Sequence, residues 1–245
     1  MNKILKNLAR PFYHLAKDLF LYSLYLRDYW KFSGFHSSRF TTHWSDRYPQ
    51  LHDNTGTTPF DSHYVYHPAW AARIVAETKP TQHIDISSTL YFSTMISAFV
   101  PTKFYDYRPA NLNLSNLESL HADLTQLPFA DDSIPSLSCM HTVEHIGLGR
   151  YGDPIDPDGD IKSMDELKRV LAPNGSLLFV VPIGKPKIMF NAHRIYSYDQ
   201  ISKQFSGLSL RKFSLVDDHG QYIDSATKGL ADQQSYGCGC FWFSK

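Results

Sequence analysis

The chain has 245 residues, 42% of them hydrophobic, which suffices for one sizeable core in a single domain with a terminal extension. Lys and Arg number 24 against 24 Asp and Glu, so no net field draws nucleic acid, and none is expected as a partner. The three cysteines (Cys139, Cys238, Cys240) are too few for a disulfide framework, and read as reduced packing residues of a cytoplasmic protein.

In the first 32 residues, Ile4, Leu8, Phe12, Leu15, Leu19, Tyr22, Leu26 and Trp30 recur every three or four positions, predicting an amphipathic helix. Pro11 marks its first turn or a kink. The charge-free run LFLYSLYL is too short for a bilayer span of about 20 apolar residues. No small-residue cleavage site follows, which argues against a signal peptide. The helix is expected to dock on its own domain or on a second copy in a homodimer. Its basic balance also permits a peripheral membrane contact.

Residues 33–66 are polar, aromatic and histidine-rich, and read as an ordered wrap or lid. Residues 1–66 are therefore set apart from a domain over 67–245. In that domain Pro68 is expected to open a helix through AWAARIVAET. Strand signals follow at 83–87, 103–107, 117–122, 135–140 and 176–181, with helical stretches near 90–100 and 161–172 between them. This alternation predicts an α/β fold with a parallel sheet covered on both faces. A helix near 197–205 and strands near 208–216 and 238–245 then add an antiparallel edge.

In such sheets ligands bind beyond the carboxyl ends of the strands, where strand order reverses. Asp85 ends the first strand. Asp106 ends the second, 21 positions later, the spacing at which an acid reaches ribose hydroxyls. Asp123 ends the third, where a carboxylate can accept from an exocyclic adenine amine. Acids also end strands as turn formers, so the weight lies on the three together.

After the fourth strand comes MHTVEHIGLGRYGDPIDPDGD, residues 140–160. His141, Glu144 and His145 are candidates for a base that removes an acceptor proton, Glu144 and His145 above all. The alternative is that Glu144 and His145 order the loop. Arg150 and Tyr151 are candidates for holding a phosphate or sugar. His193 and Arg194, after the fifth strand, either close the acceptor pocket or, for the arginine, pair with the acidic loop. Asp153, Asp156, Asp158 and Asp160 are hard oxygen ligands, but the EF-hand pattern fails: Gly159 falls fourth from Asp156 and Leu167 stands at the closing Glu position. The run is read as a solvated turn with Asp160 as a helix N-cap. Cys238-Gly-Cys240 lacks a second cysteine pair to complete a zinc site, so no metal is expected.

Together HIDIS, FYDYRP, HADLTQLPFADDSIPSLSCMHTVEHI and ELKRVLAPNGSLLFVVPIG resemble the class I S-adenosylmethionine-dependent methyltransferases. More narrowly, TVEHIGLGRYGDPIDPDGDI and FNAHRIYS resemble an uncharacterised bacterial methyltransferase-like family associated with surface-polysaccharide genes. The resemblance covers residues about 60–243. It implies the Rossmann-like, seven-stranded class I methyltransferase fold and an S-adenosylmethionine site at Asp85, Ser87, Asp106 and Asp123. It also implies a small-molecule or glycan acceptor, or else a degenerate relative serving as a binding or scaffold protein. One departure stands out. The superfamily's acid-x-Gly-x-Gly-x-Gly turn is here Asp85-Ile86-Ser87-Ser88-Thr89-Leu90. Glycine permits positive φ and close ligand approach, whereas a serine Cβ takes space and its hydroxyl can donate to the ligand.

Overall fold

The structure, a computed structural model, describes residues 3–35 and 39–245, with side chains from residue 12 onward. Ile4 and Leu8 of the predicted stripe, and Pro11, lie outside the described side chains. The chain divides into two compact units, Met1–Pro59 and Phe60–Lys245. The first unit holds helix α1 (Lys3–Ser33) and a short turn at Trp44–Asp46. Within it, Trp30 stacks on Trp44 at 5.9 Å, and the Arg47 guanidinium lies 4.2 Å over the Trp44 ring. Phe12, Leu15 and Leu19 of the stripe are exposed. Among the described residues no helix is long and apolar enough to cross a membrane.

The second unit opens with α2 (Ser62–Thr78), six residues earlier than Pro68 suggests. The Asp61 side chain accepts from the Tyr64 amide at 3.2 Å and caps the helix there, so Pro68 lies inside it. A proline seven positions in removes one backbone donor without ending the helix. As a result His63 and Tyr64, within the segment expected to be an ordered wrap or lid, stand on the first turn of a helix.

The remaining elements are β1 (His83–Ile86), α3 (Leu90–Ile96), β2 (Thr102–Asp106), β3 (Leu117–His121), β4 (Ile134–Met140), α4 (Gly159–Val170), β5 (Leu171–Ile183), β6 (Lys187–Met189), β7 (His193–Ile195), α5 (Tyr198–Gln204), β8 (Ser209–Val216), β9 (Tyr222–Ile223), α6 (Lys228–Asp232) and β10 (Gly237–Ser244). The main sheet runs β3-β2-β1-β4-β5-β10-β8-β9, and β6 pairs with β7 apart from it. Strands β1 to β5 are parallel, and β10 inserts antiparallel between β5 and β8. The sequence predicts seven strands and the sheet carries eight. The extra one, β9, is two residues long and has no periodicity to read. The architecture is the Rossmann-like methyltransferase fold.

Alternation along β5 serves both faces of the sheet. Leu177 and Phe179 pack with Met164 and Leu167 of α4 and Ile201 of α5. Leu178 and Val180 pack with Trp70 and Ile74 of α2 and Phe92 and Ile96 of α3. Cys238 and Cys240 share that second face, which brings β10 beneath the start of α2. Strand order reverses between β1 and β4, so the crevice lies beyond the ends of β1, β2 and β4.

Candidate functional site

The glycine-less turn is closed from both sides. Ser87 holds φ +53°, the left-handed conformation that favours glycine. Its amide donates to Tyr105 O at 2.7 Å and its Oγ to the same carbonyl at 3.2 Å. Thr142 Oγ1 donates to Ser87 O at 2.8 Å, and Ser88 Oγ accepts from the Met140 amide at 3.0 Å. Serine therefore keeps the backbone shape of the turn by anchoring it to β2 and β4.

Beyond that turn lies a cavity of about 300 Å³ lined by Ser87, Asp106, Asp123, Thr125, Thr142 and Gly147, among others. Asp106 spends one oxygen on the Arg108 amide at 2.7 Å. Asp123 spends one on the amide and hydroxyl of Thr125, at 2.8 and 2.7 Å. Among the described residues the second oxygen of each carboxylate has no hydrogen-bond partner. Two ordered carboxylates, each with an acceptor to spare, suit the hydroxyls and amine of an adenosine group.

Asp85 corrects the sequence expectation. It is fully buried and absent from the cavity wall, with one oxygen accepting from Ser138 Oγ at 2.5 Å and the other from Ser93 Oγ. Ser138 also receives His83 Nε2 at 2.9 Å, and His83 Nδ1 faces Ser136 Oγ at 2.7 Å. Because Ser138 donates to Asp85, His83 carries its proton on Nε2 and accepts from Ser136. Burial raises Asp85 to about 6 against the lowering pull of its serine donors, and burial lowers His83 to about 3. Asp85 thus holds the floor beneath the turn and does not reach a ligand.

A second cavity, about 490 Å³, adjoins the first and shares Ser87, His141, His145 and Tyr151 with it. Its wall includes Tyr64, Glu144, Arg150, His193 and Tyr236. His141 holds φ +54° and its Nδ1 meets Glu144 Oε1 at 2.9 Å. His145 Nδ1 meets Ala192 O at 2.6 Å, much nearer than Arg150 Nη1 at 3.3 Å, so the carbonyl takes the Nδ1 proton and the Nε2 lone pair is left free. That Nε2 is 3.8 Å from Glu144 Oε1, while Glu144 Oε2 is buried with no partner. Arg150 donates to Ala192 O at 2.9 Å, and the Arg108 and Arg150 guanidinium groups lie 4.7 and 5.0 Å from the Tyr151 ring. The His193 ring lies 5.0 Å from that of Tyr236, tilted by 34°, and burial lowers its pKa.

Of the two readings of Arg194, the structure takes the pairing with the acidic loop and overturns the closing of the acceptor pocket. The buried Arg194 guanidinium donates to Ile146 O at 2.6 Å and Pro157 O at 3.2 Å, and lies 3.5 Å from Asp160 Oδ1. It pins the loop after β4 and lines neither cavity. Asp160 is likewise not the N-cap of α4, a position held by Asp158. It is buried, pairs with Arg194 and accepts from Tyr196 OH at 2.9 Å. Two more of the loop acids are engaged: Asp153 accepts from the Gly147 amide at 2.7 Å and Asp156 from Lys162 at 2.6 Å. Gly147 itself, at φ +78°, passes so near Asp156 O that a Cβ would stand 2.0 Å from it.

Sequence reasoning missed Tyr64 and Tyr236 in the second cavity, and the cluster of His63, His141 and Cys238 beside them. The one local signal was His63 and His67, four apart on a helix face.

The comparison with solved structures supports the fold. Residues 127–236 match a sequence family described as "Caenorhabditis protein of unknown function, DUF268". That description concerns a nematode genus, not the bacterial, polysaccharide-associated family expected from the motifs. No curated protein sequence matches. The solved structure of MccD protein superposes with a TM-score of 0.50 at 14% identity, covering 74% of this chain and 97% of its own. A candidate methyltransferase (BH2331) from Bacillus halodurans C-125 superposes at 0.51 with 13% identity, covering 72% and 97%.

Proposed function

We propose that this protein is an S-adenosylmethionine-dependent methyltransferase acting on the hydroxyl of a small or glycan-type acceptor. One observation carries the reading: two cavities meet at Ser87, His141 and His145 beyond the strand ends, one offering spare carboxylate oxygens and the other a free imidazole nitrogen. Asp106 and Asp123 would hold the adenosine end, and the Ser87 turn would face the amino-acid end. When bound, the cofactor supplies an electrophilic methyl group. Catalysis then needs the acceptor oxygen placed in line with that group, which the shared wall can do.

His145 Nε2 is the group to take the acceptor proton, and Glu144 Oε1 stabilises the imidazolium that results. Glu144 therefore acts through His145. His141, Arg150, Tyr151 and His193 would position the acceptor. The half-exposed rings of Tyr64, Tyr151 and Tyr236 beside Arg150 favour a sugar, which presents apolar faces and hydroxyls together. A second reading, a non-catalytic binding protein in polysaccharide synthesis, is favoured only by the serine at φ +53°.

Calorimetric titration with S-adenosylmethionine and S-adenosylhomocysteine tests the reading. Micromolar binding of both is expected. Silence at millimolar ligand, with the protein shown to be folded, removes it in favour of the binding role.

A further inference from the structure

We infer that His63, His141 and Cys238 form a site for one thiophilic divalent cation of the zinc class, with a coordination position open to the acceptor cavity. The three come from the first turn of α2, the residue after β4, and β10. Their ligand atoms all lie within 4.8 Å of one another. His141 Nε2 is 3.3 Å from Cys238 Sγ. Bonds of about 2.0–2.1 Å to nitrogen and about 2.3 Å to sulfur, at tetrahedral angles, separate ligand atoms by roughly 3.5 Å. That pair already stands at the required spacing. His63, half-buried with its ring parallel to His141 at 5.7 Å, closes the set by a side-chain rotation.

Two further observations point to a cation. Glu144 accepts from His141 Nδ1, which leaves Nε2 for the metal and reproduces the carboxylate–histidine–metal arrangement. Glu144 is also 1% exposed, its Oε2 has no partner, and among the described residues no Lys or Arg pairs with its carboxylate. A buried carboxylate in that state favours positive charge nearby. The donor set, one thiolate and two imidazoles, matches zinc or cobalt and not calcium or magnesium.

On binding, the Cys238 S–H bond breaks, a sulfur–metal bond forms, and the proton leaves to solvent with no change of oxidation state. Three protein ligands leave a fourth position for water or an acceptor hydroxyl, as in catalytic zinc sites. Tyr64 and Tyr236, which line the acceptor cavity, stack on His141 and His63 at that open side. The acceptor-facing role rests on the methyl-transfer reading; the ligand set does not.

The test is cobalt(II) and zinc(II) titration of the reduced, chelator-stripped full chain, followed by absorbance and metal analysis. One cobalt per chain is expected, with a thiolate-to-cobalt charge-transfer band and tetrahedral d–d absorption. Cys238→Ser should abolish the charge-transfer band. His63→Ala and His141→Asn should each weaken affinity at least tenfold, asparagine being tolerant of the positive φ at 141. Cys139→Ala and Cys240→Ala should retain the band. No band in the parent protein, a band that survives Cys238→Ser, or unchanged affinity in His63→Ala overturns the site. Loss of affinity in Cys240→Ala overturns the open position, because Sγ of Cys240, 3.9 Å from that of Cys238, would then fill it. Cobalt binding without S-adenosylmethionine binding would remove the methyl-transfer reading and leave the site standing; the reverse result would remove the site alone.

Discussion

The two walls of the crevice are built by opposite means. On the wall formed by β1, β2 and β3, each cavity-lining acid stands at or just past the end of its own strand and is ordered by a neighbour two residues on, as Asp106 by Arg108 and Asp123 by Thr125. On the wall beyond β4 the polar groups come from residues 63, 64, 141, 144, 145, 193 and 236, of which His141, Glu144 and His145 are buried. The first wall costs little to build, because strand ends leave their side chains in solvent. The second must bury a carboxylate and several imidazoles, and needs compensation from loops, ion pairs or a bound cation.

The comparison breaks hardest at Arg194. Replacing it by alanine would leave Asp160 buried with only Tyr196 OH as donor, and would free the carbonyls of Ile146 and Pro157. Removing one partner of a buried pair costs about 3–5 kcal/mol. Urea unfolding should show a loss of that size for Arg194→Ala, with the loop after β4 the first segment to exchange amide hydrogens. A loss under about 1 kcal/mol would mean that the acceptor wall stands without its pin.

The floor under the first wall gives a pH signature with opposed parts. Asp85 is raised from 3.8 to about 6, so its neutral form stabilises the fold below pH 3.8, and this is lost as pH rises through about 6. His83 is lowered from 6.5 to about 3, so its contribution is present above pH 6.5 and is lost as pH falls through about 3. Between pH 4 and 6 the two slopes, each about 1.4 kcal/mol per pH unit, oppose one another. Asp85→Asn should therefore make stability rise with pH across that window, and His83→Gln should make it fall. Denaturation midpoints at three pH values separate the two, and parallel profiles would disprove the coupling.

This division also explains what the sequence exposes. Asp106 and Asp123 are legible because an acid at a strand end needs only its own strand to be found. Asp85 is legible by position but not by role, since Ser93 and Ser138, eight and 53 residues away, turn it inward. Asp160 looks like a helix cap, and Arg194 like either a pocket residue or a partner of the acidic loop, until the fold shows the two facing each other. The pairing of Cys238 with His141 spans 97 residues and has no local periodicity. Pro68 misleads because a proline can sit inside a helix whose true cap, Asp61, lies seven residues upstream.

Asp106→Ala should sharpen the contrast at smaller cost. The residue is half-exposed and, among the described residues, its carboxylate bonds only to its own turn, so stability should change by less than about 1 kcal/mol. Hydrogen bonds to a charged group are worth about 1.5–3 kcal/mol, so S-adenosylhomocysteine affinity should fall roughly 10- to 150-fold. Unchanged calorimetric affinity would take Asp106 out of the site.

The smallest effect is expected at the turn between the walls. A non-glycine residue in the left-handed region costs about 1–2 kcal/mol, and Ser87 recovers part of that through its hydroxyl on Tyr105 O. Ser87→Gly relieves the backbone but loses that bond and gains unfolded-state entropy, so net stability should move by no more than about 1 kcal/mol. Ligand affinity separates the readings more clearly than stability does. If the Cβ crowds the amino-acid end of the ligand, Ser87→Gly should tighten S-adenosylhomocysteine binding severalfold, measured calorimetrically against the parent. If the hydroxyl contacts the ligand, the same change should weaken binding by a similar factor. Identical affinities would mean that the turn only shapes the backbone, leaving discrimination to the carboxylates on one wall and the imidazoles on the other.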